Sequence, residues 1–243
     1  MPHGTADWNV TAGQQTVFRL TDLAEHAVRL GSVNSFERAG DVIAIEDFEA
    51  GFVGVSTVVG GSGALVDLHT GRTRSGLFAA RLVAGSNGSH LAAVAKDTPI
   101  IDLSAFGFEA SFSLPGSVEY VRLEISLYTG AVIQQYQVRW DDANNRIEYR
   151  NSAAAWVTLA TGVSLSTVGK LFHTAKLVIS ATEGEYVRLR LGDATYSMSG
   201  IAGSSAADAT LPFMETGVIL DGRPGNNDTL YVDDLIVTQN EPV

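Results

Sequence analysis

From about residue 40 onward the chain alternates apolar and polar positions with period two. In "FGFEASFSL", Phe106, Phe108, Ala110, Phe112 and Leu114 fall on one face and Gly107, Glu109, Ser111 and Ser113 on the other. A Pro-Gly turn follows at 115 and 116. "VEYVRLEISLY" then sets Val121, Leu123, Ile125 and Leu127 one way and Arg122, Glu124 and Ser126 the other, so the two segments read as neighbouring strands of a meander. Further strands are predicted at 76–83, 90–95, 132–140, 145–150, 155–159, 171–180, 185–191, 194–198, 213–221 and 229–238. "DDANNR" at 141–146 and "EGE" at 183–185 read as hairpin turns, because Asn and Gly tolerate the positive φ of a tight turn. Many short strands with turns about every 8 to 12 residues, and no helix between them, predict an all-β, antiparallel two-sheet sandwich.

One stretch has helical spacing. In "TDLAEHAVRLGS", Asp22 caps the start, Glu25 completes a capping box, Leu23, Ala27 and Leu30 share a face, and Gly31 supplies the stop. A helix that short, about 22–31, needs a surface to lie on. The first 20 residues are polar and aperiodic. Residues 1–38 are therefore expected to be an N-terminal arm with one short helix, and 39–243 a single β-domain, since no repeat and no Pro- or Ser-rich linker divides them.

Composition narrows the chemistry. The 243 residues are 45% hydrophobic and 18% charged, a globular profile. Cysteine is absent, which removes disulfides, thiolate chemistry and Cys-ligated zinc. A formal net charge of -11 disfavours phosphate backbones and anionic lipid heads, so neither nucleic acid nor a membrane is an expected partner. The start of the chain has no cationic segment followed by an apolar run, and no stretch is apolar enough to span a bilayer. The expectation is a protein without its own secretion signal.

The order of "IEDFEAG", "FGFEASFSL", "YQVRWDDANNRIEYRNSAAAWVTL", "FHTAKLVISATEGEYVRLRLGD" and "LYVDDLIVTQ" resembles a jelly roll of the concanavalin A-like, laminin-G-like lectin and glucanase class. The lead-in "LAEHAVRLGSVNSFERAGDVIAIEDFE" resembles that of structural proteins from tailed phages, where such a domain decorates the particle.

Glycoside hydrolysis on that fold needs two carboxylates at a set separation, and glucanase-like relatives carry Glu-x-Asp-x-Glu along one strand. The chain has no such triplet. Read as an extended strand, "AIEDFEAGF" puts Asp47 and Glu49 on one face and Glu46 with Phe48 on the other. The five histidines are scattered without metal spacing, and His173 reads as a half-buried strand residue. "GGSGAL" lacks the Lys of a phosphate loop. Two readings stand for Asp47, Glu49, Asp233 and Asp234. They are solvated charges that guard strand edges, or they are ligands of a structural calcium that clamps the first strand to the last.

A sugar platform requires exposed aromatic rings. The candidates are Trp140, Trp156, Tyr136 and Tyr149, with Tyr128 beside them, although Trp in a sandwich is more often core. "DGRPGNND" at 221–228 is the most ligand-like loop by composition. The expected function is a non-catalytic virion accessory protein, a capsid decoration or tail component, whose jelly roll contacts other virion subunits, further copies of itself or surface glycans. The alternative is a carbohydrate-binding module, outside the cell by a non-Sec route. Glycoside hydrolase ranks third, and no enzyme activity is expected.

Overall fold

The computed structural model describes residues 39–100, 104–168 and 170–243. The expected helix at 22–31 and the arm at 1–38 lie outside the described residues. Residues Ala39–Val243 form one compact unit. In chain order its strands are β1 (Asp41–Glu46), β2 (Ser56–Gly60), β3 (Leu65–His69), β4 (Ala79–Val83), β5 (Leu91–Thr98), β6 (Ala105–Ser113), β7 (Tyr120–Tyr128) and β8 (Val132–Asp141), followed by β9 (Arg146–Arg150), β10 (Trp156–Thr161), β11 (His173–Ser180), β12 (Glu185–Leu191), β13 (Ala194–Ala202), β14 (Ser204–Ala207), β15 (Phe213–Asp221) and β16 (Thr229–Gln239).

They build two antiparallel sheets. The first runs β13-β12-β11-β6-β16-β4-β3, with β1 also on β16; the second runs β10-β9-β8-β7-β15-β5-β2, with β14 on β8. Between them lie Phe106, Phe108 and Phe112 from β6 and Leu177 from β11, facing Leu123 and Ile125 from β7 and Val218 from β15. The period-two pattern thus gives the sandwich and the inward residues of β6 and β7 as expected.

The meander is corrected. β6 pairs with β11 and β16 in the first sheet, and β7 with β8 and β15 in the second. Alternation is satisfied equally by a neighbour in the same sheet and by a partner across the core, so it does not distinguish them. Strands β2, β3 and β14 were not expected. They are short and edge-placed or exposed, and burial does not impose a clear pattern on them.

Strand β16 changes partner midway. Its first half pairs with β4 (Thr229 to Val232) and its second half with β1 (Leu235 to Gln239), and the ladder to β6 slips between Asp233 and Ile236. Asp234, at φ 49, sits in that bulge. On the other side, β1 stops at Glu46 and Phe48 turns into the core at φ 60. The alternation read through Asp47, Phe48 and Glu49 therefore does not apply, since these residues form a turn.

Candidate functional site

The outward face of the second sheet carries an ordered set of polar side chains that look away from the core. Inward Val121, Leu123, Ile125 and Leu127 fix the parity of β7, so Tyr120, Arg122, Glu124, Ser126 and Tyr128 point outward. Cross-strand register then sorts the neighbours into rows. Tyr120 lies beside Asp141 and Asp221; Arg122 beside Arg139 and Ile219; Glu124 beside Gln137 and Gly217; Ser126 beside Gln135 and Glu215; Tyr128 beside Ile133 and Phe213. Glu148 continues the second row, opposite Arg139, and Trp156 sits opposite Arg150 at the edge.

These groups hold one another in place. The Arg139 guanidinium lies 3.8 Å from the Tyr120 ring centre and 4.1 Å from that of Trp156. It also donates from Nε to Glu148 Oε2 at 2.7 Å. Arg146 joins Glu148 Oε1 and Asp141 Oδ2, both at 2.9 Å. Glu124 accepts from Ser126 Oγ (2.7 Å), Gln135 Nε2 (3.2 Å) and Gln137 Nε2 (2.8 Å), so its two oxygens are oriented by three donors. Gln137 Oε1 accepts from Arg150 Nη1 at 2.9 Å. The other hydrogen bond of Arg150 goes to the Ala154 carbonyl, so this guanidinium has no carboxylate partner among the described residues. Arg122 binds Asp221 at 3.1 Å, and its buried Nε has no acceptor.

Burial raises the Asp221 carboxyl above its ordinary value against the pull of Arg122 and Arg139. Glu215 is raised as well, first by burial and then by Asp97 and Glu124. The Tyr120 phenol is raised by burial. Next to the polar rows, Ala93 and Ala95 of β5 face outward beside Ile219 and Gly217, yet are only 5% and 7% exposed because neighbouring side chains cover them.

Of the aromatic residues expected from sequence, Trp156 and Tyr128 lie on this face. Trp140 and Tyr136 point inward and are buried, with Trp140 Nε1 donating to Val163 O at 2.9 Å. Tyr149 packs half-buried against Tyr186. These three are corrected from platform to core residues, and the parity that put Val138 inside also put Tyr136 and Trp140 there. Tyr128 lies on the outward face, stacked on Phe213. Missed from sequence were Arg122, Glu124, Gln137, Arg139, Glu148 and Arg150. Their signal was legible as Arg, Glu and Gln at alternate positions of three strands adjacent in sequence, "VRLEI", "QVRW" and "RIEYR". The loop "DGRPGNND" is closed on itself: Arg223 binds Asp228 at 2.8 Å, and Asp228 also accepts from Glu119 N at 2.7 Å. His173 contacts Ser166 O at 2.8 Å and is half-buried, as expected.

The acids at the β1–β16 closure do converge on one segment, 74–78. Asp233, fully buried, accepts from the backbone N–H of Arg74 (2.8 Å), Ser75 (3.2 Å) and Asp234 (2.9 Å). Its carboxyl is pushed up to about 7, first by burial and then by Asp234. Asp234 accepts from Ser75 Oγ at 2.9 Å, while its buried Oδ2 has no hydrogen-bond partner and lies 3.6 Å from Arg74. Glu49 Oε1 accepts from Leu77 N and Phe78 N at 2.7 and 2.8 Å. Gly76, at φ +58, leaves room that a Cβ would fill against Glu49. Among the described residues no three His, Asp or Glu side chains gather closely enough to form a metal site on their own. Asp233 is occupied by amides, which removes it from the expected ligand set.

No protein-family model matches the chain, and no curated protein is similar to it. Solved structures are. An endo-β-1,4-glucuronan lyase from the fungus Trichoderma reesei is 14% identical with a TM-score of 0.57, over 82% of this chain and 96% of its own. An alginate lyase, vAL-1, from Chlorella virus is 8% identical with a TM-score of 0.56, over 82% and 100%. The cellulose induced protein Cip1 is 18% identical with a TM-score of 0.55, over 82% and 98%. At these identities the likeness is one of fold: a jelly-roll sandwich shared with carbohydrate-active proteins. Two of the three are lyases, so the expectation that no enzyme activity belongs to this layout is corrected. The missing acid triplet bears on one hydrolase geometry and is silent about eliminative chemistry.

Proposed function

We propose that this protein engages a polysaccharide along the outward face of its second sheet, on the side that carries Arg122, Arg139 and Arg150. The observation that carries this reading is Arg150. A guanidinium bound to an amide and a carbonyl, with no carboxylate of its own, has donors to offer a sugar carboxylate. Trp156 and Tyr120, braced by Arg139, supply the flat apolar surface on which a pyranose ring rests. Calorimetric titration with polygalacturonate, alginate and glucuronan oligomers tests it. Binding to at least one, lost in Arg150→Ala and in Trp156→Ala, is expected. Wild-type protein that binds none of them overturns it.

A second reading, eliminative cleavage, is favoured by the Arg150–Gln137 pair. In such a reaction a base removes the proton on the carbon next to the uronate carboxyl, the glycosidic oxygen leaves, and a double bond forms. A cation and an amide donor at the carboxylate stabilise the charge that builds up there. The unsaturated uronate product absorbs in the ultraviolet, and a flat trace with all three polymers removes this reading.

The setting proposed for this activity is a virion surface, with further copies of the chain or other virion subunits as protein partners. The phage-like lead-in and the viral origin of one similar lyase support it. Mass spectrometry of purified particles and light scattering of the protein test it, and a strict monomer absent from particles overturns it. We also propose a calcium ion at the β1–β16 closure, held by Asp234 with the Ser75 hydroxyl and neighbouring carbonyls. The buried Asp234 Oδ2, which accepts no hydrogen bond and has only the Arg74 guanidinium at 3.6 Å beside it, supports this. The ion would fasten the segment 74–78 to the last strand.

A further inference from the structure

The outward face of the second sheet has two ends of different character. Arg122, Arg139, Arg146 and Arg150 all lie toward the β7–β9 side, in the rows from Tyr120 to Glu124. At the opposite end of β7 the rings of Tyr128 and Phe213 stack at 4.4 Å between centres and 6° between planes. Both belong to the outward face, both are half-buried, and they are each other's cross-strand partners. The charged groups that act on the Tyr128 hydroxyl are Glu215, Asp208, Glu124 and Asp97, all acids. Glu215 and Asp97 sit opposite each other on β15 and β5. Like charges directly opposite each other destabilise a sheet, so this pair concentrates negative charge at that end at a cost in stability.

A uronate is repelled at this end, and an uncharged pyranose is not. The ring pair offers it an apolar face, and the surrounding carboxylates accept hydrogen bonds from its hydroxyls, as anionic acceptors do most strongly. From Arg150 to Tyr128 is four residues along the strands and two strands across, about 17 Å at 3.4 Å per residue and 4.8 Å per strand, which is the span of a short oligosaccharide.

We infer that Tyr128 and Phe213 form a second subsite, for an uncharged sugar ring, so that the chain recognised is a heteropolysaccharide in which uronate and neutral residues are interspersed. This rests on the reading of Arg150 as a carboxylate site and adds the composition of the ligand to it.

Phe213→Leu keeps apolar volume while removing the ring, and its melting temperature reports whether folding is intact. The probes are unsulfated hyaluronan and chondroitin hexasaccharides, in which uronate alternates with an uncharged amino-sugar derivative, and hexagalacturonate, in which every unit is charged. The wild type is expected to bind an alternating hexasaccharide about tenfold tighter than hexagalacturonate, the scale of one aromatic contact. Phe213→Leu should abolish that preference while leaving hexagalacturonate binding unchanged, and Arg150→Ala should weaken both. Equal affinities in the wild type, or a preference that survives in Phe213→Leu, overturns the inference alone. Failure of the wild type to bind any of the three overturns the inference, and failure to bind alginate and glucuronan oligomers as well overturns the carboxylate reading with it.

Discussion

The Tyr186 hydroxyl, on β12 of the first sheet, crosses the core to accept the backbone N–H of Gln137, on β8 of the second, at 2.7 Å. The same hydroxyl donates to the carbonyl of Arg150 at 2.7 Å. The β8–β9 ladder ends at Val138 and Tyr149, so the hydroxyl takes the place of the next rung, directly beneath the two side chains that form the carboxylate site. Burial holds this phenol far above its ordinary pKa, and it stays a neutral donor at any physiological pH.

Tyr186→Phe leaves a buried N–H and a buried carbonyl without that partner. A loss of about 1–3 kcal/mol is expected from such unsatisfied groups. Urea unfolding reads it, and calorimetry should show glycan affinity falling as well, because Gln137 and Arg150 lose their common anchor. Unchanged stability would mean that water replaces the hydroxyl.

Trp140 and Trp156 separate by location. Trp140→Ala opens a hole in the core and should cost about 3–5 kcal/mol. Trp156→Ala removes a half-exposed ring from the outward face and should leave the melting temperature nearly unchanged while glycan binding is lost. Thermal melts beside titrations on both variants check the contrast.

Lys176 and Glu241 form an ion pair of 2.7 Å with side chains 2% and 0% exposed. Glu241 also holds Arg188 at 2.8 Å, and its backbone N–H binds Ala105 O. Glu241→Ala removes the carboxylate that Lys176 and Arg188 share and releases the C-terminal segment, so a loss of about 1–3 kcal/mol is expected. Hydrogen exchange at β6 and β11 should rise with it.

Asp233 makes stability depend on pH. Its folded pKa of about 7 lies above the ordinary 3.8, so the folded state holds a proton that the unfolded state has released between those values. The contribution is present in full below about pH 4 and is lost as pH rises through 7. Wild-type melting temperature should therefore fall from pH 5 to pH 8 in chelator more steeply than that of Asp233→Asn. Millimolar calcium should restore it at pH 8, and an identical melt with calcium and with chelator removes the ion.

Period-two alternation on β6, β7, β11 and β15 was enough to read the architecture, because a strand with one buried face must repeat apolar residues every second position whatever it pairs with. The same rule held the inward parity of Trp140 and the outward parity of Arg139, although neither was drawn from it at first. It was silent on where partners lie. β6 and β7 look like a hairpin yet face each other across the core, since burial rewards both arrangements equally. It was silent on where a strand stops: β1 ends at Glu46 because Phe48 is drawn into the core by the fold, and the acids beyond it lie in a turn. Residues far apart in the chain meet only in the folded sandwich: Tyr186 with Gln137 through the stacking of the two sheets, Lys176 with Glu241 and Arg74 with Asp234 through strand pairing within the first sheet. Nothing local in their sequence records that meeting, because the energy that rewards it exists only once those distant strands have come together.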